Sequence, residues 1–250
     1  MSTNIGGVSL ARGTPRVIVP ITGRDLDAIM REATMIASTD ADLVEWRADC
    51  FAQLTSADAT RHAVHAITAT VGRPVIITVR SVAEGGRFDG DADAYSAAVT
   101  SIADQADAVD VELRHPEANA LIAAVAATCP VIASCHFPDS TPDEAAMIDV
   151  LEQAESTSAA IGKLAVRAAG PADAAALLHA TARHTALAAK PVITMAMGDH
   201  GVITRLIGHL FGSCATFAVV AQASAPGQPD LARLRAAWTG LDAALDVDRP

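Results

Sequence analysis

The sequence predicts an α/β fold, a single (β/α)8 TIM barrel formed by residues 1–250. Three observations carry that expectation. Eight short runs rich in Val and Ile alternate with longer Ala/Leu-rich runs of helical period. They recur roughly every 30 residues, as strand–helix units of a parallel sheet do. The chain has 250 residues, and a closed eightfold barrel takes about 250. No Gly-x-Gly-x-x-Gly follows the first run, which weakens the open, dinucleotide-binding alternative.

The strand candidates, in order, are 16–21, 42–47, 74–80, 108–113, 130–136, 161–167, 191–197 and 216–220. Pro74, Pro130 and Pro191 each open one of them, where a missing N–H costs little. Helix candidates fill the gaps at 25–36, 58–70, 92–106, 117–128, 143–155, 172–184 and 230–245, with a shorter Gly-punctuated segment at 201–210. Several entries carry cap chemistry: Ser56 with Asp58, Thr141-Pro142-Asp143-Glu144, and Gly170-Pro171-Ala172-Asp173. These place a cap residue, a first-turn proline or acids at a helix start. Residues 1–15 precede the first strand and are expected to close the barrel bottom. No linker divides the chain, so one domain is expected.

Composition excludes several classes of function. Eighteen basic against 29 acidic groups give a net charge of −11, a poor basis for binding nucleic acid. The longest apolar stretch, 120–135, is broken by Thr128 and Pro130 and reads as a helix followed by a strand, so no membrane span is expected. No apolar leader core stands in the first 15 residues. The four cysteines show neither paired nor metal-type spacing, which fits reduced thiols in a cytoplasmic protein.

Charges inside buried barrel strands need a reason, and here they gather at the C-terminal ends, where barrel active sites form. Strand two carries Glu45, Arg47 and Asp49 on one face. Arg80 ends strand three, with Glu84 just beyond; strand four holds Asp110 and Glu112. His136 ends strand five, Lys163 lies within strand six, and Arg205 follows strand seven. Ser224 and Gln228 lie in the loop after strand eight. Any one of these reads more readily as a structural ion pair than as a catalyst. Seven of eight strands contributing to one end is the stronger signal. Arg47, Arg80, Lys163 and Arg205 predict a cationic mouth in an acidic body, suited to a small anionic substrate such as a carboxylate.

The chain has only two lysines. Lys190 follows a helix and complements its dipole. Lys163 sits in the apolar run Ile161-Gly162-Lys163-Leu164-Ala165-Val166. An ordinary lysine is neutral to only about one part in 10³ at pH 7. Desolvation and nearby arginines are expected to lower that barrier, making Lys163 a candidate Schiff-base nucleophile. His136 shares an inward face with Ile132 and Ser134 and is a candidate general acid–base. His62 and His65 lack the companion ligands of a metal site. His179 and His184 are expected at a helix surface.

Together these residues resemble the type I 3-dehydroquinate dehydratase family, from about residue 16 to residue 228. The resemblance rests on Glu45-Trp46-Arg47-Ala48-Asp49, on Thr78-Val79-Arg80-Ser81-Val82-Ala83-Glu84-Gly85-Gly86 and on Asp110-Val111-Glu112. It continues through Ser134-Cys135-His136, Gly162-Lys163-Leu164-Ala165-Val166, the stretch 197–205 ending in Arg205, Phe211-Gly212-Ser213, and Ala223-Ser224-Ala225-Pro226-Gly227-Gln228. It implies a homodimeric barrel that needs no metal or organic cofactor and converts 3-dehydroquinate to 3-dehydroshikimate in aromatic amino acid biosynthesis. It implies that Lys163 forms the imine, that His136 moves the protons and that Glu84 orients His136. It implies that Arg205 binds the substrate carboxylate, that Glu45, Arg47 and Arg80 hold the ring substituents, and that Ser224 and Gln228 close over the substrate. The chain departs from the family pattern at Phe137-Pro138, at Arg167-Ala168, where the family usually has Met-Pro, and at Thr204. By alternation Arg167 shares a face with Lys163 and is placed either in the pocket or above its rim. The rivals are another class I lysine aldolase, whose second buried lysine has no counterpart here, and a non-catalytic barrel binding an anionic metabolite.

Overall fold

The computed structural model describes residues 2–13, 15–221 and 223–245. Met1, Thr14 and residues 246–250, included in the sequence-based ranges, lie outside the described residues.

The chain begins with an antiparallel hairpin, β1 (Ser2–Ile5) and β2 (Val8–Ala11). Then come β3 (Arg16–Ile21), β4 (Leu43–Arg47), β5 (Val75–Thr78), β6 (Ala108–Glu112), β7 (Val131–Phe137), β8 (Ile161–Arg167), β9 (Val192–Met197) and β10 (Ala215–Phe217). These eight pair in parallel in the order β10-β3-β4-β5-β6-β7-β8-β9. The remaining seam is stitched where Cys214 N–H donates to Val192 O at 2.8 Å and Ser213 bridges to Val192. The result is a nearly closed (β/α)8 barrel, as the sequence predicts.

The helices are α1 (Leu26–Ala37), α2 (Ala57–Val71), α3 (Ala92–Ile102), α4 (Ala118–Ala126), α5 (Glu144–Ser156), α6 (Pro171–Leu187), α7 (Val202–Ile207) and α8 (Leu231–Leu245). Asp25, Ser56, Asp91 and Asp143 cap α1, α2, α3 and α5, each side chain accepting from the backbone N–H three residues on. Asp143, not Thr141, thus caps α5; the Thr141 hydroxyl instead donates to Arg167 O at 2.8 Å. The helix expected over 92–106 tightens into a 3₁₀ turn at Ala103–Gln105. His184 is buried, contrary to the expected surface position, while His179 is exposed.

Alternation along the strands divides the interior. Outward residues such as Val44, Trp46, Ile77, Val109, Val111 and Ala133 pack with the helices into one apolar shell. Inward residues change character along the axis. At the bottom Ile18, Leu43, Ile76, Ala108, Ile132, Ile161 and Ile193 form an apolar floor. Two residues further on, the same faces carry Glu45, Thr78, Asp110, Ser134 and Lys163, and two further again Arg47, Arg80, Glu112 and His136.

The hairpin seals the floor. Ile5 and Leu10 are fully buried and join the bottom cluster; burying each contributes about 1.5–3 kcal/mol. The segment lies where the sequence reading places it, but its strands carry no sequence signal, because each four-residue strand buries a single side chain, Ile5 or Leu10. β10 ends earlier than expected because the chain turns back: Val219 N–H donates to Pro229 O at 2.8 Å and Leu231 N–H to Val219 O at 3.0 Å. That pair pins the base of the loop running over the barrel mouth.

Candidate active site

A cavity of about 720 Å³, open to solvent, occupies the C-terminal end of the barrel. All nine residues singled out from the sequence line it: Glu45, Arg47, Arg80, Glu84, His136, Lys163, Arg205, Ser224 and Gln228. Among the described residues no cluster of three or more His, Cys, Asp or Glu side chains is placed to hold a metal ion.

Lys163 reaches the axis from the middle of β8. Its Nζ lies 2.9 Å from Asp110 Oδ2 and 3.4 Å from Glu45 Oε1, and 4.7 Å from the centre of the Phe217 ring. Its immediate partners are therefore carboxylates, not the arginines expected from sequence. Arg80 Nη2 at 2.7 Å and Ser134 Oγ at 2.5 Å hold the other Asp110 oxygen. Burial alone would raise the Asp110 carboxyl; Arg80 and Lys163 overcome this and hold it well below the usual range.

His136 and Glu84 form a buried pair. Glu84 Oε2 accepts from the His136 ring Nδ1 at 2.8 Å and from the His136 backbone N–H at 2.9 Å. Two contacts to one oxygen fix the ring with Nδ1 towards Glu84; with Glu84 ionised, Nδ1 carries the proton. The other ring nitrogen, Nε2, has no protein partner among the described residues. Burial, reinforced by Arg80 and Lys163, pushes the imidazole well below its ordinary value. Burial pushes the Glu84 carboxyl up to about 8, against the pull of Arg80. Both groups are thereby pressed towards their uncharged forms. Cross-strand register sets Ser134 beside Lys163 and His136 beside Ala165, so the His136 backbone lies two residues, about 7 Å, nearer the mouth along the strand direction than that of Lys163.

The arginines divide into two kinds. Arg47 is bidentate to Asp49, both contacts at 2.8 Å. Arg80 contacts Asp110, Glu112 and Glu84. The charges of these two are already matched, so the expected cationic mouth is in fact a neutralised lattice. Arg205 is different. It is 1% exposed; among the described residues its guanidinium meets Met195 Sδ at 3.4 Å, and its Nε lacks a partner. Burial lowers its guanidinium to about 10. A buried cation without a counter-charge on a cavity wall is costly unless an anion pairs with it.

The loop pinned at Val219 covers one side. Ser224 N–H donates to Gln228 Oε1 at 2.8 Å, and Gln228 Nε2 donates to Ser224 Oγ at 2.9 Å. Gly198 N–H donates to Pro226 O at 3.3 Å. Gly227 adopts φ +79°, and a Cβ there would meet Gly198 O at 2.5 Å, so the docked loop requires glycine.

Sequence reasoning gave no role to Asp110, Ser134, Met195 or Phe217, which here contact Lys163, its carboxylate partner or Arg205. Asp110 had a signal: a carboxylate flanked by Val109 and Val111 on a buried strand. Met195 and Phe217 had none, since apolar residues on barrel strands are the rule.

Fold and site define a (β/α)8-barrel enzyme with an amine at the axis of a cavity lined by charged side chains. The type I 3-dehydroquinase family model matches residues 17–243. The 3-dehydroquinate dehydratase of Listeria innocua is 35% identical over 237 residues, covering 92% of this chain and 94% of its own. That of Klebsiella pneumoniae is 36% identical over 241 residues, covering 94% and 96%. The crystal structure of the Geobacillus kaustophilus enzyme superposes with a TM-score of 0.92 at 31% identity over 97% of both chains. The chain belongs to the type I 3-dehydroquinase family. It is a carbon–oxygen lyase, a 3-dehydroquinate dehydratase of the shikimate pathway; the aldolase and binding-barrel rivals are not favoured.

Proposed function

We propose that Lys163, His136 and Glu84 carry the dehydration and that Arg205 anchors the substrate carboxylate. The observation that carries this assignment is that Lys163 Nζ and the unpaired Arg205 guanidinium line one cavity with the free nitrogen of His136. Lys163 gives a proton to His136 Nε2 and attacks the C3 ketone of 3-dehydroquinate; His136 returns the proton to the resulting hydroxyl, which leaves as water, and a protonated imine joins the lysine to C3. The imine draws electrons from C2. His136 Nε2 takes the C2 proton, giving an enamine, and returns a proton to the C1 hydroxyl as it departs as water. Hydrolysis of the imine frees 3-dehydroshikimate and restores Lys163. Glu84 holds the imidazole in the tautomer that leaves Nε2 as the base. Its raised pKa and the lowered pKa of His136 favour a neutral ring.

Arg205 gains its counter-charge only when a carboxylate binds, and the guanidinium fork suits that geometry. Glu45, Arg47 and Arg80 set the cavity wall against the ring substituents. For Arg47 and Arg80 this service is shared with their matched carboxylates. Ser224 and Gln228 close the mouth and exclude water. The solved Clostridium difficile type I enzyme, at a TM-score of 0.90 and 29% identity over 98% of both chains, is described with covalent modified comenic acid. That fits a family whose site bonds to its ligands.

The same reading makes the protein a cytoplasmic homodimer that needs no metal or organic cofactor and binds neither nucleic acid nor membrane. Among the described residues no helix is long and apolar enough to cross a membrane. Sedimentation of the purified chain tests the dimer.

Borohydride reduction with 3-dehydroquinate tests the mechanism. The expected result is loss of activity with a stable mass increase on the peptide holding Lys163. Turnover without an adduct, or an adduct only at Lys190, sinks the assignment. Absorbance of the conjugated enone product separates dehydration from aldol cleavage.

A further inference from the structure

Arg167 closes the inward face that carries Lys163 and Ala165, and all three line the cavity. It lies four residues beyond Lys163, about 13 Å along the strand at 3.3 Å per residue. Its backbone is clamped: N–H donates to Ser140 O at 3.0 Å, and C=O accepts from the Thr141 hydroxyl at 2.8 Å. The side chain is exposed and forms no ion pair among the described residues. Of the cavity arginines, Arg47 and Arg80 are neutralised and Arg205 is buried. Among the described arginines lining this cavity, Arg167 is therefore the one both exposed and without an ion pair.

We propose that Arg167 is an electrostatic capture residue, drawing the carboxylate of the incoming substrate to the mouth before Arg205 binds it. The body carries a net charge of −11 and repels a carboxylate at long range. One unmatched guanidinium at the rim of a low-dielectric cleft offsets that repulsion along the entry path. A backbone clamped by two hydrogen bonds with an exposed side chain suits transient capture; a bound-state anchor is buried, as Arg205 is. The proposal rests on the reading of the cavity as the dehydratase site.

Steady-state kinetics of Arg167→Glu, Arg167→Gln and Arg167→Lys across ionic strength provide the test. At ~0.01 M salt, where screening acts only beyond about 30 Å, Arg167→Glu should lower kcat/KM roughly tenfold and Arg167→Gln about threefold. By ~0.5 M both deficits should shrink to less than about twofold. The loss should fall on kcat/KM with kcat moving far less, and Arg167→Lys should restore most of it, because capture needs charge and not a fork. Equal salt dependence in Arg167→Glu and the parent overturns the proposal. A deficit that persists undiminished at high salt also overturns it, by making Arg167 an anchor of the bound state. Borohydride trapping at Lys163 in the parent separates the two readings: its failure sinks the site assignment, while the salt dependence still reports on Arg167. The substituted side chain is solvent-exposed, and a thermal melt of each variant confirms that it folds.

Discussion

Lys163 Nζ sits 2.9 Å from one oxygen of Asp110 while Arg80 and Ser134 grip the other. The carboxylate is thus fixed before the lysine meets it. It is held ionised, so it pins the amine at the barrel axis without serving as the proton acceptor. Asp110→Asn keeps the shape and removes the charge. It leaves Arg80 and Lys163 each one counter-charge short inside the barrel, and breaking a buried pair typically costs about 3–5 kcal/mol. Expected are a lower melting temperature and at least a tenfold loss of kcat. A melt and a rate matching the parent's contradict this role.

The pH profile should show the depressed imidazole. In the proposed mechanism His136 acts as a base in its neutral form, so activity falls as pH drops through its folded pKa. Burial, with Arg80 and Lys163, moves that pKa down. The acid limb of kcat/KM should therefore lie below about 6.5, the ordinary histidine value. In Glu84→Gln the ring loses its carboxylate partner, and kcat should fall at least tenfold across the whole profile. An acid limb above 7 in the parent is inconsistent with the buried neutral ring.

Arg205 makes stability and binding oppose one another. Without substrate its charge is desolvated and unmatched. Arg205→Met replaces it with an apolar side chain beside Met195. The ligand-free protein should melt no lower than the parent, while KM rises at least about a hundredfold, reflecting a lost charge-assisted pair. A carboxylate product analogue should raise the melting temperature of the parent and not of the variant. Equal stabilisation of both by the analogue removes Arg205 from the binding site.

The loop over the mouth should tolerate no side chain at Gly227. A methyl group there meets Gly198 O at 2.5 Å, with φ already at +79°. Gly227→Ala should keep the barrel melt, because the loop is peripheral, yet raise KM several-fold by preventing docking. An unchanged KM shows that the docked position is not used in catalysis.

Much of the barrel was legible because parallel strands bury both faces and so read as apolar runs, and because charges in such runs stand out. That contrast marked Glu45, Arg80, His136 and Lys163. It did not reveal which charges cancel. Arg80 and Arg205 look alike in sequence, yet one meets three carboxylates and the other only a thioether. Pairing is decided across strands far apart in the chain, Arg80 to Asp110 and Lys163 to Glu45, and no local pattern encodes it. The hairpin that seals the floor escaped for another reason: one buried side chain in each four-residue strand does not make a period.

That floor closes one end of the barrel. Ile5 and Leu10 fill the bottom, and the charged cavity lies at the opposite end, beside the Ser224–Gln228 contact. Imine formation releases a molecule of water, elimination releases another, and imine hydrolysis consumes a single one. The reaction thus generates inside the chamber the water that its last step needs. The loop can stay docked from imine formation to hydrolysis, and a back entrance for solvent is unnecessary.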